Sequence, residues 1–139
     1  MGNVQSVRKI GFEDMQYIQK HKINSIIINT LDKSDQNCII WGTTPPIGEE
    51  KCINDALEKD LTIKIIIYGR NCIDDNIYDR YKTLYALGFK NVYVYPGGLF
   101  EWLCLQDIYG AEDFKTNTKE LDILKYKPNG VLNIGLLTN

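Results

Sequence analysis

The sequence predicts an α/β domain with a central parallel sheet flanked by helices on both faces, and three observations carry that expectation. Ser25-Ile26-Ile27-Ile28-Asn29 and Ile63 to Tyr68 are short β-branched runs without polar alternation, the pattern of strands covered on both faces. Val92-Tyr93-Val94-Tyr95 repeats the strand signal. Segments of helical period stand between and after these runs, and strand, helix, strand, helix is the order of a parallel sheet.

Each element has its own signal. Ile10-Gly11-Phe12 leads through Glu13 and Asp14 into an amphipathic stretch reaching Lys22, a first helix with acids at its positive end. Cys38-Ile39-Ile40-Trp41 reads as a shorter strand, stopped by Gly42 and the turn residues Thr43-Thr44-Pro45-Pro46. Glu49 to Lys59 is helical. Asp74 or Asp75 caps a helix through Ile77, Tyr81, Leu84 and Leu87 that Gly88 ends. Pro96-Gly97-Gly98 then turns into Leu99-Phe100-Glu101-Trp102-Leu103, where the spacing makes Phe100 and Trp102 core residues. The expected organisation is an N-terminal segment 1–9, one domain 10–124 with a C-terminal extension from about 107, and a looser tail 125–139.

Composition excludes several classes. A chain of 139 residues can bury roughly two-thirds of its unfolded surface and needs no disulfide staple. A formal net charge of −2 with dispersed Lys and Arg leaves no basic stripe for nucleic acid. Cys38, Cys52, Cys72 and Cys104 are widely spaced, and His21 is the one histidine, beside Lys20 and Lys22 on a solvated helix end. That set lacks zinc spacing and reads as free thiols in a cytoplasmic compartment, with no metal or cofactor implied. No apolar run approaches the roughly 20 residues of a spanning helix.

Ile65-Ile66-Ile67-Tyr68 opening a loop, Leu87-Gly88-Phe89-Lys90-Asn91-Val92 ending a helix, and Pro96-Gly97-Gly98-Leu99-Phe100-Glu101-Trp102 occur in an order that resembles the second half of a rhodanese domain. The match covers about residues 8 to 106, most strongly from Ile63 onward. Gln106 to Gly110 and Lys119 to Asp122, with heavy use of Asn, Ile, Lys and Tyr, resemble the extended rhodanese-like proteins of large DNA viruses and some protists. That resemblance implies a cytoplasmic protein of the host cell or virion.

A rhodanese is a sulfurtransferase whose thiolate takes a sulfane sulfur from a donor such as thiosulfate and passes it on from a persulfide. Loop N–H groups and a helix N-terminus favour the thiolate. Here the position the resemblance assigns to the nucleophile, directly after Tyr68, is Gly69. The active-site-like loop reads Gly69, Arg70, Asn71, Cys72, Ile73, Asp74, Asp75, Asn76. Counting back from Gly88 favours Cys72 as nucleophile, whereas the strand-end register favours Gly69, and shifts in a buried strand are harder than loop insertions. Arg70 is the loop's cation for drawing in an anion, while Asp74 and Asp75 oppose a nearby thiolate. Active relatives often place an Asp before an Arg at the position of Asn29, which departs from that pattern, and Thr43 to Pro46 would border the pocket as a lid.

The expectation is therefore a catalytically silent domain acting as a binding module for a protein partner. Its rivals are a sulfurtransferase using Cys72 and Arg70, and a cysteine-dependent phosphatase, whose C-x-x-x-x-x-R signature fails because Tyr78 stands at the arginine position. Met1-Gly2-Asn3-Val4-Gln5-Ser6 meets the N-myristoylation pattern at Gly2, which on its own supports only weak membrane association.

Overall fold

The computed structural model describes residues 6–132; Gly2, the expected lipidation site, lies outside them. Three strands, β1 (Ser25–Asn29), β2 (Lys64–Tyr68) and β3 (Asn91–Tyr95), form a sheet in the order β1-β2-β3. All pairings are parallel, with Ile27 opposite Ile66 and Ile66 opposite Tyr93. Single parallel bridges from Thr43 to Ile27 and from Lys9 to Val94 cover the two edges.

In-register strands send alternate side chains to opposite faces. Ile26, Ile28, Ile65, Ile67, Val92 and Val94 share one core with Ile53 of α2 (Pro46–Lys59) and with Ile77, Tyr81 and Leu84 of α3 (Asn76–Ala86). Ile27, Ile66, Tyr68 and Tyr95 share the other with Met15 of α1 (Phe12–Lys20) and with Leu99, Trp102 and Leu103 of α4 (Gly98–Tyr109). This is the two-faced burial that unalternated strands require. Asp14 accepts the Gly11 N–H at 3.1 Å to start α1, and Gly88, at φ +111°, follows the end of α3 in a conformation that favours glycine.

The segment expected as a fourth strand, Cys38 to Trp41, does not join the parallel sheet as one. Ile40 makes a single antiparallel bridge to Thr116, and Trp41 N–H donates to the Lys115 carbonyl at 3.0 Å. Ile39 N–H donates to the Asn117 side chain at 2.9 Å. Cys38, Ile39 and Ile40 are apolar because they are buried beneath the C-terminal extension, and periodicity cannot tell that from a strand. Tyr68 fixes its inner side, accepting the Ile40 N–H at 3.1 Å and standing 2.8 Å from the Thr43 hydroxyl.

The extension wraps the α4 face. The Trp102 indole N–H donates to the Lys115 carbonyl at 3.0 Å, and its ring meets Phe114 edge-on at 5.1 Å. Gln106 reaches the Phe114 carbonyl at 2.7 Å. The ordered wrap runs past Leu124, where the tail was expected to begin, because Tyr126 in the 3₁₀ turn Ile123–Tyr126 is buried in the same core.

Trp102 is fully buried, so Trp102→Ala is expected to cost about 3–5 kcal/mol, read as a shift of the urea midpoint; an unchanged midpoint would contradict the packing. Burial pushes the Tyr68 phenol from 10.0 up to about 12. A folded value above the unfolded one means full stability below about pH 10 and a loss as pH rises toward 12, amounting to roughly 2–3 kcal/mol. Tyr68→Phe should flatten that slope in denaturation curves taken across the range.

Candidate functional site

The C-terminal ends of parallel strands are where ligand clefts form in open α/β sheets, and here the loop after β2 meets the residues after β1. Tyr68 leads into buried Gly69, and Thr30 N–H donates to the Tyr68 carbonyl at 3.0 Å. The N-terminus of α4 supports the loop from below. Leu99 N–H donates to the Gly69 carbonyl at 2.9 Å and Phe100 N–H to the Arg70 carbonyl at 3.0 Å. Gly98 sits at φ +68°, and a Cβ there would stand 2.7 Å from the Gly69 carbonyl oxygen. The absence of a side chain at Gly98 is what lets the helix and loop backbones touch.

Asp74 folds back over Gly69. One carboxylate oxygen accepts from the Thr30 hydroxyl at 3.0 Å and from Arg70 N–H at 3.1 Å. The other accepts Asn76 N–H at 3.0 Å, so Asp74 caps the start of α3 while Asp75, at the cap position, makes no side-chain cap bond. A Cβ on Gly69 would lie 2.8 Å from the Asp74 Cγ and 2.9 Å from the Thr30 hydroxyl. No side chain fits at residue 69 while Asp74 stays.

The loop's donors are largely spent inside the protein. Ile73 N–H donates to the Asn71 side chain at 3.1 Å and Asp74 N–H to the Asn71 carbonyl at 3.2 Å. Buried Asn71 in turn donates to the Tyr126 carbonyl at 2.8 Å. The Arg70 guanidinium is paired with Asp35 at 2.5 Å, donates to the Lys125 carbonyl and lies over the Tyr126 ring at 5.0 Å. A cleft of about 280 Å³ remains, lined among others by Thr30, Asp32, Arg70, Asp74, Asn76 and Lys127.

Cys72 is exposed and does not line that cleft. Its thiol has no hydrogen bond or ion pair among the described residues. The structure therefore brings Gly69, Arg70, Asn71, Asp74 and Asn76 together and leaves Cys72 on the rim. Tyr78, at the phosphatase arginine position, packs against the α2/α3 core. Thr43 is buried against Tyr68, and Pro46 lines the neighbouring groove with Asn29 and Arg80. Asn29 is buried, exchanging hydrogen bonds with Gln36 at 3.0 and 2.8 Å. No group of three or more His, Cys, Asp or Glu among the described residues is placed to hold a metal. No described helix is long and apolar enough to cross a membrane.

Sequence reasoning missed Thr30, Asp35 and Tyr126. Thr30 was findable as the residue directly after a buried parallel strand. Asp35 and Tyr126 carry no local signal.

No family model matches the sequence, and none of the curated proteins does. Solved structures do match. The chain is 21% identical to the Alr3790 protein of Anabaena sp., with 84% of this chain and 86% of that one covered and a TM-score of 0.57. The solution structure of the rhodanese-like domain of the same protein gives 21% identity, 91% and 88% coverage, and a TM-score of 0.56. An uncharacterized protein from Saccharomyces cerevisiae gives 18% identity, 72% and 93% coverage, and a TM-score of 0.54. At these identities the likeness establishes the fold alone, which is that of a rhodanese-like domain.

The crowding at Gly69 has a measurable signature. Gly69→Ala alone should destabilise, and in an Asp74→Ala background its cost should fall by roughly 0.5–3 kcal/mol, the usual coupling of contacting residues. Additive urea-denaturation energies across the four proteins would mean that Asp74 does not fill the space above Gly69.

Proposed function

We propose that this rhodanese-like domain has no sulfurtransferase activity and serves as a binding module for a protein partner. The observation that carries the reading is the Asp74 carboxylate folded over Gly69, at the position where the resemblance puts a nucleophilic sulfur. A donor anion would meet a carboxylate there instead of a thiolate. The N–H groups of Arg70, Ile73, Asp74 and Asn76, which could otherwise converge on an anion, already have acceptors within the loop.

The remaining requirements of the chemistry are also unmet. Arg70 is held by Asp35 and the Lys125 carbonyl, and moving it would cost those contacts as well as its stacking on Tyr126. Cys72 is exposed, stands outside the cleft and makes no hydrogen bond or ion pair among the described residues. A fold kept with its loop closed by its own side chains is suited to recognition through its surface.

Sulfur transfer from thiosulfate to cyanide, followed as thiocyanate with the wild-type chain and Cys72→Ser, tests the reading. The expected result is no thiocyanate above the protein-free control for either. Turnover by the wild type that Cys72→Ser abolishes would overturn the proposal and establish an enzyme using Cys72.

A further inference from the structure

The two tryptophans are treated oppositely by the fold. Trp102 is fully buried, whereas Trp41 is 56% exposed on the wall of a groove of about 880 Å³ that runs beside α1. Tyr17, 58% exposed, lines the same groove, its ring 4.2 Å from that of His21. Trp41 is not loosely held. Its N–H donates to the Lys115 carbonyl at 3.0 Å, and its own carbonyl accepts from the Gln19 amide at 2.9 Å. A rigid backbone presenting an exposed indole is the arrangement that binding surfaces use for their anchor residues.

The groove is also electrically polarised. Glu13 lies in the first turn of α1 and Lys20 in the last, which separates them by roughly 10 Å along the axis. Gln16, at the middle of α1, donates to the Asp113 carbonyl at 2.9 Å, which sets Asp113 and the adjacent Glu112 on the Glu13 side of Trp41's contact with Gln19. The contact from Gln19 sets Trp41 beside the second half, where Lys20 and Lys22 line the wall. Lys115 is the neighbour of Trp41. Glu13 thus marks an acidic end and Lys20 with Lys22 a basic one, with Tyr17 between them on the helix and Trp41 beside the basic end.

We propose that this groove docks an extended, proline-containing segment of a partner protein carrying one acidic and one basic residue about three positions apart. A polyproline II segment advances about 3.1 Å per residue, so three steps cover the same roughly 10 Å that separate Glu13 from Lys20. Proline rings pack on exposed Trp and Tyr faces, and the stiff conformation loses little entropy on docking. Opposite charges at the two ends match the acidic and basic walls. A neutral glycan would stack on the rings and gain nothing from the charges, and a nucleic acid would be repelled by the acidic half. The groove shares no residue with the loop at 69–76, so its failure would leave the reading of Gly69 untouched.

The test uses the full chain and a fluorescein-labelled peptide, Gly-Asp-Pro-Pro-Lys-Gly, followed by anisotropy. Saturable binding is expected, weakened about tenfold or more by Trp41→Ala and about threefold by Lys20→Glu, with far-ultraviolet dichroism showing both variants folded. Like-charged peptides carrying Lys-Pro-Pro-Lys or Asp-Pro-Pro-Asp should bind more weakly than the mixed one. Peptide should also shield the wild-type emission from iodide, since Trp102 is already inaccessible. No saturable binding at millimolar peptide, binding indifferent to Trp41→Ala, equal binding of like-charged peptides, or binding of chitotriose alone would each overturn the proposal.

Discussion

The structure depends on burying three short parallel strands on both faces at once. Ile65, Ile66 and Ile67 in the central strand have no exposed surface, and each fully buried side chain of this kind contributes about 1.5–3 kcal/mol. Such a strand cannot stand at a surface, so helices must cover each face and every connection must cross from one end of the sheet to the other. The strand ends Asn29, Tyr68 and Tyr95 consequently align in one row, and the loops that follow them meet. Everything at the candidate site follows from that alignment.

What the site does with the alignment is to close itself. The start of α4 donates two N–H groups to the carbonyls of Gly69 and Arg70, which makes the helix dipole serve the loop backbone instead of an external anion. Asp74 takes the space over Gly69 and caps α3, and the C-terminal extension holds Arg70 and Asn71 through the carbonyls of Lys125 and Tyr126. The extension is itself tied to the core through Trp102, Gln106 and Phe114. Residues far apart in the chain are thereby coupled, and the loop is held in one conformation by contacts from three directions.

The surface offers more than the loop does. A domain whose loop is closed by its own carboxylate can still present a rigid scaffold, and a groove lies beside α1, away from that loop. Trp41 owes its position there to the same antiparallel contact with Lys115 that displaced the expected strand. The correction to the secondary structure and the proposed docking surface are therefore one fact: the Cys38 to Trp41 run pairs with the C-terminal extension, and its last residue turns outward.

By itself the sequence determined the three strands, the four helices, the two-faced core and the glycine directly after Tyr68. These are properties of near neighbours: periodicity, β-branching, and the steric freedom of Gly88 and Gly98 are set within a few residues. Only the tertiary structure decided what fills the empty position. Thr30 meets Asp74 across 44 residues, Arg70 meets Asp35 across 35, and Asn71 meets Tyr126 across 55. No local pattern encodes such pairings, because a carboxylate or a phenol reads the same in sequence whether it faces water or is carried by the sheet against a loop from the other half of the chain.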